Sequence, residues 1–150
     1  MTRAIQLAMD SVHSGRGGPF GAVIVKDERI VGEGANSVTS RNDPTAHAEV
    51  VAIRDACGKL RSFELLDCDL YTSCEPCPMC LGAIYWTRLA RVFFASTTSD
   101  AAMIGFDDSF IYQEITLPHA QRRIPATQIM REEALPVFQA WEKKPNKILY

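Results

Sequence analysis

Apolar residues recur at helical spacing near the start of the chain, where Ile5, Ala8, Met9 and Val12 fall within residues 3–13. The glycine-rich "SGRGG" ends that run, so a first helix is predicted there. Two β-branched runs follow, "PFGAVIVKD" and "RIVGEGAN", meeting around Asp27 to Arg29 in the pattern of a hairpin. "NDPTAHAEVVAIRDACG" opens with cap residues and Pro44, runs at helical period, and predicts a second helix that stops at Gly58. "CDLYTSC" predicts a third strand, which leads directly into "EPCPMC".

The next segment, "PCPMCLGAIYWTR", carries Pro76 and Pro78. A proline inside a helix costs about 3 kcal/mol, whereas in the first turn its missing N–H is harmless. Both prolines are therefore tolerated only if a helix starts near residue 76. "ARVFFAS" predicts a fourth strand, "IPATQIM" a fifth, and "EEALPVFQAWEK" a last helix with Leu135, Phe138 and Trp141 on one side. The intervening "DAAMIGFDDSFIYQEITLPHAQRR" has little regular period and reads as a long irregular segment. Alternating strands and helices predict an α/β fold: a three-layer α/β/α sandwich on a mixed five-stranded sheet. Trp86 and Trp141 are expected in its core.

With 150 residues the chain has the size of one domain, 1–150, able to bury about two-thirds of its unfolded surface. No apolar run approaches the ~18 residues of a membrane span, and the charged, amphipathic start points to the cytoplasm. Sixteen Lys and Arg stand against eighteen Asp and Glu, without a basic cluster longer than "QRR" or "EKK". That balance argues against a nucleic-acid partner, which needs a patch of cations.

Five cysteines, an odd number, fit reduced thiols rather than a disulfide framework. Cys57 and Cys68 read as buried apolar thiols. Cys74, Cys77 and Cys80 crowd together and point to a metal. On a helix starting near Pro76, Cys77 and Cys80 share a face, and the helix N-terminus favours the thiolate. Of His13, His47 and His119, His47 is the preferred third ligand, because it begins a helix that follows a sheet strand. Imidazole plus thiolate suits zinc.

Three readings compete with a catalytic zinc. An iron–sulfur cluster lacks its fourth cysteine in the run, and Pro76 interrupts the spacing. A structural zinc closed by Cys74 leaves Glu49 without a role. A noncatalytic zinc module is the third. Residues two apart do not share a helical stripe, so Glu49 is badly placed to ligate beside His47, yet close enough to move protons of a bound water.

His47-Ala48-Glu49 with Pro76-Cys77-Pro78-Met79-Cys80 is the H-x-E and P-C-x-x-C pattern of zinc base deaminases. Over nearly its whole length the sequence resembles the cytidine-deaminase superfamily. Its "GGPFGAVIVKD", "NDPTAHAE", "YTSCEPCPMCLGAIYW" and "DAAMIGFDDSFIY" look most like bacterial guanine deaminases. The resemblance implies a cytidine-deaminase-like fold, one zinc per subunit, and hydrolysis of guanine to xanthine and ammonia. Water made nucleophilic at the zinc would attack C2 while Glu49 carries protons. It also implies substrate contacts from Asn36, offering both donor and acceptor, from Asp108 ahead of Asp107, and from Phe20 against the base. Tyr150 resembles a terminal tyrosine that can close the pocket. Such enzymes are usually homodimers, in which a C-terminal segment can be exchanged. Alternatives within the superfamily are deaminases of guanosine, cytosine, a triazine or tRNA adenosine. The sequence pI near 5.9 disfavours the last.

Overall fold

The computed structural model describes residues 1–150. The chain divides into two compact units, Met1–Ser109 and Phe110–Tyr150. In the first unit α1 spans Thr2–Ser14, β1 Gly21–Lys26, β2 Arg29–Ala35, α2 Val38–Arg41, α3 Ala48–Leu60, β3 Asp69–Cys74, α4 Pro78–Trp86, β4 Arg91–Ser96 and α5 Thr98–Met103. The sheet order is β2-β1-β3-β4. β1 runs antiparallel to β2 and β3, whereas β3 and β4 are parallel and joined through α4. The sheet is mixed, as expected, with four strands rather than five.

Residues 124–130, expected as the fifth strand, have no ladder partner. Pro125 lacks an N–H for such a ladder, and Ile124 and Ile129 stand 85% and 76% exposed. The segment expected to be irregular instead holds α5 and α6, Ser109–Thr116. α5 is nucleated by a capping box: Thr97 Oγ1 accepts from Asp100 N, and Asp100 Oδ2 accepts from Thr97 N. The second unit continues with a 3-10 turn, His119–Gln121, and α7, Arg131–Lys143.

Small residues let helices lie close on both faces of the sheet. On one face α1 buries Ala4, Ala8 and Ser11 while Ile5, Met9 and Val12 remain about half exposed. A methyl group at Gly21 would collide with Ala4 O and Ala8 N, so α1 approaches through its smallest residues. On the other face Ala48, Ala52 and Ala56 of α3, all fully buried, sit over Gly32 and Gly34. This contact brings the start of α3, and with it the H-x-E pattern, against the ends of the strands. Ala22, Ile24, Leu65, Cys68, Leu70 and Ile84 complete the core around these alanines.

α3 runs through Gly58 to Leu60, past its expected end, and closes with Arg61 in the left-handed region at φ 52°. α4 is apolar on every side yet buries only Cys80 and Ile84. Trp86, expected in the core, is 65% exposed at its end, and Trp141 on α7 is 41% exposed.

Gly34→Ala is expected to lower the melting temperature by about 5 °C or more, because the added methyl meets the backbone of Ala48 and Ala52. An unchanged melting curve would contradict this tight seating of α3.

Candidate active site

Three helix-start positions converge at one end of the sheet. His47 is the N-cap of α3, extended at φ −68° and ψ 154°. The turn before it is held by Asp43, whose Oδ1 accepts from Thr45 N at 2.8 Å and Thr45 Oγ1 at 2.6 Å. Cys77 is the N-cap of α4, also extended, with Pro78 as the first helical residue. The helix thus starts two residues later than Pro76. Cys77 reaches the site from the cap, and Cys80 from the first turn.

The ligand atoms of His47, Cys77 and Cys80 all lie within 4.8 Å of one another, in a group that could hold a metal ion. His47 Nδ1 lies 3.5 Å from Cys77 Sγ and 3.6 Å from Cys80 Sγ. A tetrahedral zinc with Zn–N of about 2.05 Å and Zn–S of about 2.3 Å would separate nitrogen from sulfur by about 3.6 Å. The donor set therefore fits zinc in chemistry and in spacing.

The electrostatics suit ligation. The Cys77 thiol is pushed down to about 4, first by its hydrogen bond with Cys80 and then by His47. His47 is raised, chiefly by the same contact with Cys77. Cys80 is pushed up by its hydrogen bond with Cys77, by burial and by Glu49, and a metal that binds here displaces thiol protons. Cys74 stands apart. Burial raises its thiol to about 11, and Sγ donates to Thr97 O at 3.4 Å. Cys74→Ser is expected to leave zinc near one per chain; loss of metal would revive a closed, four-ligand site.

Glu49, in the first turn of α3, is 6% exposed, and burial raises its carboxyl above the usual range. Its Oε2 accepts from Cys80 Sγ at 3.4 Å and its Oε1 from Thr72 Oγ1 at 3.2 Å.

Asn36 follows β2, 5% exposed. Its Oδ1 accepts from Gly18 N at 3.1 Å and Val38 N at 3.3 Å. The side-chain carbonyl is thereby occupied, and only the Nδ2 amine remains to face a ligand. This corrects the expectation that Asn36 offers both donor and acceptor. A side chain at Gly17 would overlap Asn36 Oδ1, so the backbone must pass bare at that point.

Asp107 and Asp108 separate clearly. Asp107 is exposed, and its Oδ1 accepts from Ser109 N at 2.9 Å, which lowers its carboxyl. Asp108 is half-buried and raised, first by burial and then by the charge of Cys77. Phe20 packs edge-on against Phe106, ring centres 5.0 Å apart. Phe106 was not singled out in the sequence, since nothing periodic marks it. Tyr150 belongs to the second unit, where it is 71% exposed. His13 is exposed on α1, and His119 lies in the 3-10 turn of the second unit.

Residues 1–96 match the cytidine and deoxycytidylate deaminase zinc-binding region. The chain belongs to the cytidine and deoxycytidylate deaminase family. Among members of this deaminase family, guanine deaminase of Bacillus subtilis (strain 168) is 59% identical over 150 residues, covering 100% of this chain and 96% of that protein. The X-ray structure of guanine deaminase from Bacillus subtilis superposes with a TM-score of 0.97 at 60% identity, covering 99% of this chain and 95% of that one. A tRNA-specific adenosine deaminase of Buchnera aphidicola subsp. Schizaphis graminum is 44% identical over 82 residues, 55% of this chain and 54% of its own length. The likeness to the tRNA deaminase thus stops at about half of each deaminase chain.

Proposed function

We propose that this chain is a zinc-dependent hydrolase that converts guanine and water to xanthine and ammonia, its 150 residues working as one deaminase domain. The observation that carries this reading is the 59% identity to a guanine deaminase over the whole chain, α6 and α7 included. His47, Cys77 and Cys80 would hold one zinc, which when bound supplies the Lewis acidity that brings the pKa of a water toward about 7.

The protein's own groups do the rest. Glu49 takes a proton from the attacking water as its oxygen bonds to C2, and passes it to ring N3. It then takes the proton of the new C2 hydroxyl and gives it to the departing amine. The C2–N bond breaks, ammonia leaves, and C2 becomes a carbonyl beside N3–H. Asn36 donates through Nδ2 to an acceptor of the base, its Oδ1 being occupied by Gly18 and Val38. Asp108 accepts from a base N–H, and Phe20 packs against the ring.

The working form we propose is a cytoplasmic homodimer, with the C-terminal segment exchanged between subunits. Supporting this are the exposed Tyr85 and Trp86 on α4 and Val137 and Phe138 on α7, 65–76% exposed in the isolated chain. No helix is long and apolar enough to cross a membrane. Light scattering should return about twice 16.7 kDa; the single-chain mass would contradict the dimer.

Ammonia release from guanine, guanosine, adenine and cytosine tests the substrate. Guanine should be turned over far faster than the others, and preference for another would overturn the assignment. Asp108→Asn should lower kcat/KM for guanine by about tenfold or more with zinc retained, the scale of one hydrogen bond to a charged group. Unchanged kinetics would remove Asp108 from the pocket.

A further inference from the structure

β3 lies between β1 and β4, and Thr72 pairs in register with Ala22 on one side and Phe94 on the other. Its backbone is therefore fixed from both edges. Along β3 the side chain of Thr72 falls on the same face as Leu70, which packs into the core beneath α3. Thr72 is fully buried there. Valine has the same shape and carries no polar atom, whereas a buried hydroxyl without a partner is destabilising. The partner of this hydroxyl is Glu49 Oε1, at 3.2 Å.

The two oxygens of Glu49 consequently have different surroundings. Oε1 is tied to the sheet through Thr72, while Oε2 faces Cys80 Sγ at 3.4 Å. Cys80 can donate to Oε2 only while it is a thiol; as a metal-bound thiolate it has no proton to give. The Thr72 contact does not depend on the metal. The last torsion of a glutamate is soft; the backbone N–H of Glu49 itself reaches the carboxyl, and the Thr72 hydroxyl adds a second contact, held by the sheet, that fixes the carboxyl plane.

We infer that Thr72 is a positioning residue for Glu49: its hydroxyl anchors Oε1 and so dedicates Oε2 to carrying the proton. The hydrogen bond persists in both protonation states, because Oε1 remains an acceptor when Oε2 is protonated. The inference rests on the proposed role of Glu49 in guanine hydrolysis.

The test compares zinc-loaded, full-length Thr72→Val, Thr72→Ser, Glu49→Gln and the Thr72→Val/Glu49→Gln double variant on guanine. Thr72→Val should lower kcat by about 10–100-fold, with KM within about threefold and one zinc per chain, the usual scale for a misplaced proton carrier. Thr72→Ser should stay within about threefold of the parent, and Thr72→Val should cost nothing further in the Glu49→Gln background. A zinc-bound crystal structure of Thr72→Val should show the Glu49 carboxyl turned away from its parental plane. Parental turnover in Thr72→Val, an equal fall in Thr72→Val and Thr72→Ser, or an undiminished loss in the Glu49→Gln background would each overturn the inference. Should the valine variant not fold, Thr72→Ala against Thr72→Ser carries the same comparison. Parental activity in Glu49→Gln would instead overturn the underlying role of Glu49, and this inference with it.

Discussion

Glu49→Gln is expected to retain one zinc per chain and to lower kcat by at least about 10²-fold, the usual scale for losing a positioned acid or base. The amide has nearly the shape of the carboxyl and leaves His47, Cys77 and Cys80 untouched, so metal content and fold should survive. It cannot accept a proton from water, and it has none to deliver to N3 or to the departing amine. Because both proton transfers run through this one side chain, the loss should appear in kcat rather than in KM. Steady-state kinetics beside a zinc assay checks this. Turnover close to the parent with full metal would remove Glu49 from the chemistry.

Removing the metal should have a larger effect. A chelated sample is expected to lose at least about 10³-fold in guanine turnover and to recover on addition of zinc, since free water has a pKa near 16. Cys80→Ala should reproduce the loss without recovery. Cys80 is fully buried and its Sγ lies 3.6 Å from His47 Nδ1, so no solvent-exposed group can take its place. Activity that persists after chelation, with the metal verified as absent, would contradict a zinc-dependent reaction.

The metal cluster was legible in the sequence because its geometry is local. Cys77 and Cys80 flank a proline-marked helix start, and His47 opens another, so two short patterns bring three donors to two caps. Even so, the two-residue shift of α4 mattered: Pro78, not Pro76, opens the helix, which makes Cys77 a cap with extended backbone. The hairpin, β3 and β4 were also legible from β-branched runs bounded by turns. Residues 124–130 carry the Ile and Thr content of a strand but form none, since only a neighbouring strand can make one. The capping box at Thr97 and Asp100 is a readable signal for α5 at the start of a stretch with little regular period.

Two features of the site could not be read from one sequence. The orientation of the Asn36 amide depends on N–H groups of Gly18 and Val38, one of them eighteen residues away. Sequence patterns carry no such information. In the sequence Thr72 is one β-branched residue of a strand run, and only the approach of α3 over Gly32 and Gly34 brings Glu49 to its hydroxyl. Its clue was slight: one polar atom on the strand face that Leu70 assigns to the core.

The proposed hydrolysis requires an ion held by three protein donors, with a fourth corner for solvent. X-ray absorption at the zinc edge of the active protein tests this most directly. The prediction is one nitrogen near about 2.0 Å, two sulfurs near about 2.3 Å and one exchangeable oxygen. A first shell with three sulfurs and no exchangeable oxygen would contradict it.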